Sequence, residues 1–148
     1  MPMPWTYRHA SREFASFLAD AREEMELVSD NSAYTAVQGV LLCFRRRLTV
    51  QQALDFAGLL PSVVRAIFVA DWQVAPPLPF ADRAALTAEA QALRPHHNLT
   101  PDNCIAATAL ALRHHVDQAA LDALLATFPA GAVEFWHLDG PPPTRKMV

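Results

Sequence analysis

Several shortages in this chain each remove a class of function. It has four glycines in 148 residues, none in a phosphate-binding pattern, so no Gly-rich loop is present to cradle a nucleotide. Its two cysteines, Cys43 and Cys104, share no C-x-x-C spacing and sit among apolar residues on predicted helices, which reads as buried free thiols in a reducing cytoplasm. The formal net charge of -3 gives no electrostatic case for nucleic acid or an anionic membrane. The longest strongly apolar run, Cys104 to Leu112, is far too short to span a bilayer. Met1-Pro2-Met3-Pro4-Trp5 lacks the basic and apolar regions of a signal peptide. Lysine is nearly missing: of twelve basic residues only Lys146 is not arginine, so arginine is the default cation and does not by itself mark a site.

What the chain does have is an internal likeness. At an offset of 68 residues, Leu41-Leu42-Cys43-Phe44-Arg45-Arg46-Arg47-Leu48 lies over Ala109-Leu110-Ala111-Leu112-Arg113-His114-His115-Val116. The same offset carries Pro61 onto Pro129 and Ile67-Phe68 onto Phe135-Trp136 without a gap. Identity, apolar pattern and breaker position share one register, which reads as a duplicated helical unit rather than a solenoid. With 52% hydrophobic and 18% charged residues, the expected fold is all-α: two tandem, sequence-related units, about eight helices, packed into one compact domain.

Periodicity places the elements. Phe14, Phe17, Leu18, Ala21, Met25 and Val28 form the stripe of a first helix at roughly 10–28, and Ser29 to Asn31 interrupt it and cap the next. Tyr34, Val37, Leu41, Phe44 and Leu48 form the second stripe, whose last turn carries Arg45, Arg46 and Arg47 against the negative end of the helix dipole. Thr49 and Gln52 have capping-box spacing for a short third helix to about Gly58, and Pro61 suits the first turn of a fourth, ending near Ala70. In the second unit Asp82 caps a stripe of Leu86, Ala90 and Leu93. Pro95 to Asn98 form a loop, Thr100-Pro101 start the next helix, Asp117 caps another, and Pro129 opens a last one to about Leu138. The expected organisation is an N-terminal arm at 1–9, a first unit at 10–75, a proline-rich linker at 76–81, a second unit at 82–138 and a flexible tail at 139–148.

The run Tyr34 to Ala53, followed by Leu59-Leu60-Pro61, Arg65 and Trp72, resembles the bacterial DUF2267 family. That family's pattern is similar to A-x-x-A-x-x-x-V-L-x-x-L-R-D-R-L, then A-x-x-L-x-x-x-L-P, then R-G and an aromatic stretch ending in G-W. Leu112 to Val116 and Phe128-Pro129 to Trp136 resemble its C-terminal half, so the likeness covers about residues 12–138. Arg46 stands where the family usually has Asp, and Ala66 where it usually has Gly. The resemblance implies an all-helical fold and a bacterial cytoplasmic setting, and it supplies no active site.

Candidate chemistry is sparse. Glu134 and His137 make a single E-x-x-H, a spacing that di-iron bundles use twice; its structural reading is a histidine near a helix C-terminus. His96-His97 and His114-His115 are adjacent pairs, and neighbours on a helix point about 100° apart, so one pair rarely chelates one ion. No cysteine or carboxylate cluster completes a zinc set. No metal or cofactor is therefore expected, and no serine or cysteine has a nucleophile's context. The local excess of positive charge, Arg45, Arg46, Arg47 and Arg65 beside Asp71 and Trp72, is the candidate interaction cluster, because arginine forks bind carboxylates and stack on indole. Its structural reading is a solvated helix end with an intramolecular Arg–Asp pair. The expected function is a non-catalytic interaction or regulatory module, with a protein partner or self-association. The alternative is a small-ligand or enzymatic domain using the cleft between the two units.

Overall fold

Side-chain caps fix where four of the described helices begin. The computed structural model describes residues 1–94 and 100–148, and among these the chain forms nine helices and no strand. They are α1 (Trp5–Arg8), α2 (Ala10–Glu24), α3 (Asp30–Arg45), α4 (Val50–Ala57), α5 (Ser62–Val69), α6 (Arg83–Ala92), α7 (Cys104–His115), α8 (Gln118–Leu125) and α9 (Ala132–Trp136). Ser29, Asp82 and Asp117 each accept a hydrogen bond from a first-turn N–H of α3, α6 and α8. Thr49 and Gln52 close the expected capping box on α4.

Three expected helix bounds are corrected by backbone geometry. Helix α2 stops at Glu24, not residue 28, and Val28 is 99% exposed. Glu26 takes a left-handed φ of 56°, and the bonds Leu27 N–H to Arg22 O and Glu26 N–H to Glu23 O form a Schellman stop without glycine. Helix α7 starts at Cys104, not at Pro101, whose carbonyl instead accepts from Cys104 N–H. Helix α9 spans only Ala132–Trp136, because the left-handed Gly131 (φ 104°) stands between it and Pro129. A side chain at Gly131 would meet the Phe80 Cβ at 2.5 Å, so the turn depends on glycine. The arm contributes the additional helix α1, where Thr6 receives Ser62 N–H and accepts Ser62 Oγ–H at its carbonyl.

The helices pair in matched sets. The most extensive contact is α2 against α7, followed by its counterpart, α6 against α3. The first helix of each expected unit thus lies along the second helix of the other. Helices α3 with α5 and α7 with α9 form another matched pair, and α4 meets α8 directly. The α4 and α8 bounds differ by the same 68 residues that relate the two halves of the sequence.

An aromatic cluster joins the halves. The Phe44 ring centroid lies 4.8 Å from Phe56, 5.0 Å from Phe135 and 5.2 Å from Trp136, and Phe56 lies 5.1 Å from Phe68. All five side chains are buried, and they fill the seam where the alternative reading expects a cleft. The segment 76–81 is extended, with Leu78 N–H donating to Arg46 O. Residues 139–148 run back over the second half. Lys146 N–H donates to His114 O, and Gln118 Nε2 donates to Pro143 O.

Candidate functional site

Helix α3 ends on Arg45, and Arg46 and Arg47 continue its turn, so the rotation of about 100° per residue sends the three arginines in different directions. Arg45 turns inward. Its Nη1 donates to Phe68 O at 2.9 Å and Ala70 O at 3.0 Å, covering the open carbonyls at the end of α5. The guanidinium lies 5.6 Å from the Trp72 ring centroid, and burial lowers its pKa while the charge of Asp71 opposes that shift.

Arg47 is 4% exposed and makes a forked pair with Glu89 of α6, at 2.5 Å and 2.8 Å. It also donates to Cys43 O and Pro79 O, so it ties α3, α6 and the linker together. The fork raises the pKa of Arg47 and holds the Glu89 carboxyl below its ordinary value. Arg46 points outward. It is 44% exposed and keeps one contact to Glu89, at 3.3 Å.

Beside Arg45 and Arg46 lies a surface recess of about 300 Å³, lined by Leu42, Leu48, Asp71, Trp72, Gln73, Ala75, Pro76, Leu78 and Leu93 as well. It sits at the edge of the junction between the two halves, between the last turn of α3, the extended linker and the end of α6. Asp71 holds a left-handed φ of 52°, unusual for a non-glycine residue and most often tolerated by Asp and Asn.

Of the six residues in the expected cluster, the structure brings Arg45, Arg46, Asp71 and Trp72 to this recess. Arg47 is buried in its pair with Glu89. Arg65 lies elsewhere, donating from Nε to Ala57 O and from Nη2 to Leu60 O, where it covers carbonyls after α4, and from Nη1 to Tyr7 Oη. The structural reading of a solvated helix end therefore fits Arg46 alone. Sequence reasoning missed the leucines of the wall. Leu42 carried a signal, since it is a large apolar side chain next to the core stripe of Leu41 and Phe44 rather than on it. Leu78 and Leu93 carried none, because only the fold brings them to α3.

The other candidates resolve into internal contacts. His115 Nδ1–H donates to Ala111 O at 2.8 Å, which leaves Nε2 to accept from the Ser16 hydroxyl at 3.0 Å. Its burial lowers its pKa, consistent with the neutral ring those bonds need. His114 and Lys146 both donate to Asp20, at 2.9 Å and 2.7 Å, fastening the tail to α2 and α7. His137 lies beyond the end of α9, facing Asp139 at 3.5 Å, so Glu134 and His137 do not share a helical face. His96 and His97 lie outside the described residues. Burial pushes the thiol pKa up to about 12 for Cys43 and about 11 for Cys104, which makes both poor nucleophiles. Among the described residues no cluster of three or more His, Cys, Asp or Glu is arranged to hold a metal ion. None of the described helices is long and apolar enough to cross a membrane.

Compared with known families, the family described as "Uncharacterized conserved protein (DUF2267)" matches residues 14–135. No curated protein matches the chain.

Proposed function

The chain belongs to the DUF2267 family, and from that premise we propose that it is a non-catalytic binding module whose contact site is the recess formed by Arg45, Arg46, Asp71 and Trp72. One observation carries this reading. At the recess an exposed guanidinium, a half-buried indole and a wall of leucines converge from three segments of the chain, whereas the seam between the halves is filled by aromatic rings. Concave, largely apolar sites with a few convergent polar groups are where binding energy concentrates. The strained backbone at Asp71 adds to it, because such conformations cluster at functional positions. The site therefore lies at the edge of the junction, not in a cleft through it. The buried thiols suit a reducing compartment such as the cytoplasm.

The test compares native protein with Arg46→Glu and Trp72→Ala, each recovered from the source cells, with all co-purifying proteins and small molecules identified by mass spectrometry. The reading expects at least one species retained by the native chain and lost from both variants while their melting curves stay cooperative. Identical retention by all three would overturn it.

A further inference from the structure

The recess also constrains its occupant, a step that rests on reading it as the contact site. Glu89 already gives both carboxylate oxygens to Arg47, so Arg46 is left with one 3.3 Å contact and an exposed guanidinium. Among the described residues the guanidiniums of Arg45, Arg46 and Arg47 meet the carboxylates of Asp71 and Glu89, three positive charges against two negative.

Arg45, which also lines the recess, differs from its counterpart in the second half. Its side chain is more than nine-tenths buried, yet its Nε has no hydrogen-bond partner among the described residues. Its counterpart at the 68-residue offset, Arg113, uses Nε to hold Trp136 O at 2.8 Å. A buried donor left open is rare and costs free energy.

Size and wall chemistry narrow the choice. About 300 Å³ lies at the small end of the range for small-molecule sites, about 300–1,000 Å³. Leu42, Leu48, Leu78 and Leu93 would strip water from a bare inorganic anion without replacing it, which is unfavourable. An apolar body attached to the anion turns the same wall into a gain. Asp71 at the rim repels a second negative charge.

We propose that the recess binds a small organic monocarboxylate with an apolar body, its carboxylate held by the fork of Arg46 and its body against the leucines and Trp72. Arginine suits this role because its planar fork matches a carboxylate with two parallel hydrogen bonds.

The test uses the full chain with phenylacetate and hexanoate as probes, followed by titration calorimetry and by NMR of the leucine methyl groups. Phenylacetamide serves as the neutral isostere and inorganic phosphate as the bare anion. Both carboxylates should bind and shift the Leu42, Leu78 and Leu93 methyl resonances, with phenylacetamide and phosphate at least about tenfold weaker, a difference of about 1.4 kcal/mol. Arg46→Gln should weaken phenylacetate by a similar factor. Leu78→Glu, a surface change that puts a repelling carboxylate on the wall, should do the same if Arg46→Gln folds poorly. Equal binding of the acid and the amide, or binding unchanged in either variant, would overturn the proposal. So would the absence of methyl shifts at millimolar probe. If the carboxylates fail while Arg46→Glu still releases the cellular species described above, the carboxylate assignment falls and the contact site stands. If both fail, the contact site falls with it.

Discussion

Arg45 and Arg113 do the same structural work at matching positions, and neither does it as a surface charge. Each reaches from the last turn of its helix to the carbonyl of the residue 23 further along, Phe68 in one case and Trp136 in the other. Arg113→Met should leave Trp136 O without its donor and Asp122 without its partner, lowering stability by about 2 kcal/mol. In a chain of this size that appears as a drop of roughly 4–8 °C in melting temperature. Buried His115 gives a pH dependence of definite sign. Its folded pKa lies below the ordinary 6.5, so its contribution to stability is present above that value and is lost as pH falls from there toward the folded pKa. The groups facing it are Ser16, Asp20, Glu13 and His114, with Asp20 and Glu13 opposing the shift and His114 adding to it. Urea midpoints measured from pH 7.5 to 5.5 should decline for the native chain, and less steeply for His115→Gln. An unchanged slope would assign the dependence to the carboxylates.

At the scale of elements, the starts of helices were more legible than their ends. Ser29, Thr49, Asp82 and Asp117 are side-chain caps, and a side-chain cap is visible in a sequence. The stop of α2 is not, because a left-handed Glu26 does what glycine usually does, and no residue type announces it. Gly39 shows a different kind of constraint. It sits in the middle of α3, where a Cβ would lie 2.5 Å from Ala90 O on the facing α6 backbone. Gly39→Ala should therefore destabilise the chain by about 1–3 kcal/mol, despite the better helix propensity of alanine. Chemical denaturation checks this, and a stabilised variant would mean that α3 and α6 separate freely. Because α6 also carries Glu89 and Leu93, the same substitution should disturb the recess.

For the whole molecule, the apolar stripes were legible and their partners were not. Phe17, Leu18, Ala21 and Met25 read correctly as one face of α2, but nothing local says that the face rests chiefly on α7 rather than on the next helix in sequence. The recess was half legible for the same reason: Arg46, Asp71 and Trp72 all lie in the first half, while Leu93 arrives from the other half. The crossed pairing of α2 with α7 and α6 with α3 predicts that the halves are not separable domains. Residues 1–81 and 82–148, made as two chains, should each give poorly dispersed NMR spectra alone and a native-like spectrum when mixed. A folded spectrum from either half by itself would contradict the interlock. The crossing also sets a timetable for synthesis. The apolar face of α2 leaves the ribosome roughly 90 residues before the last turn of α7, a wait of roughly 5 to 20 s at ordinary elongation rates of about 5–20 residues per second. For that interval α3 and α5 can cover only their own share of the face, and the share that belongs to α7 stays open, so the chain's yield in cells depends on how well that share is shielded before the second half emerges.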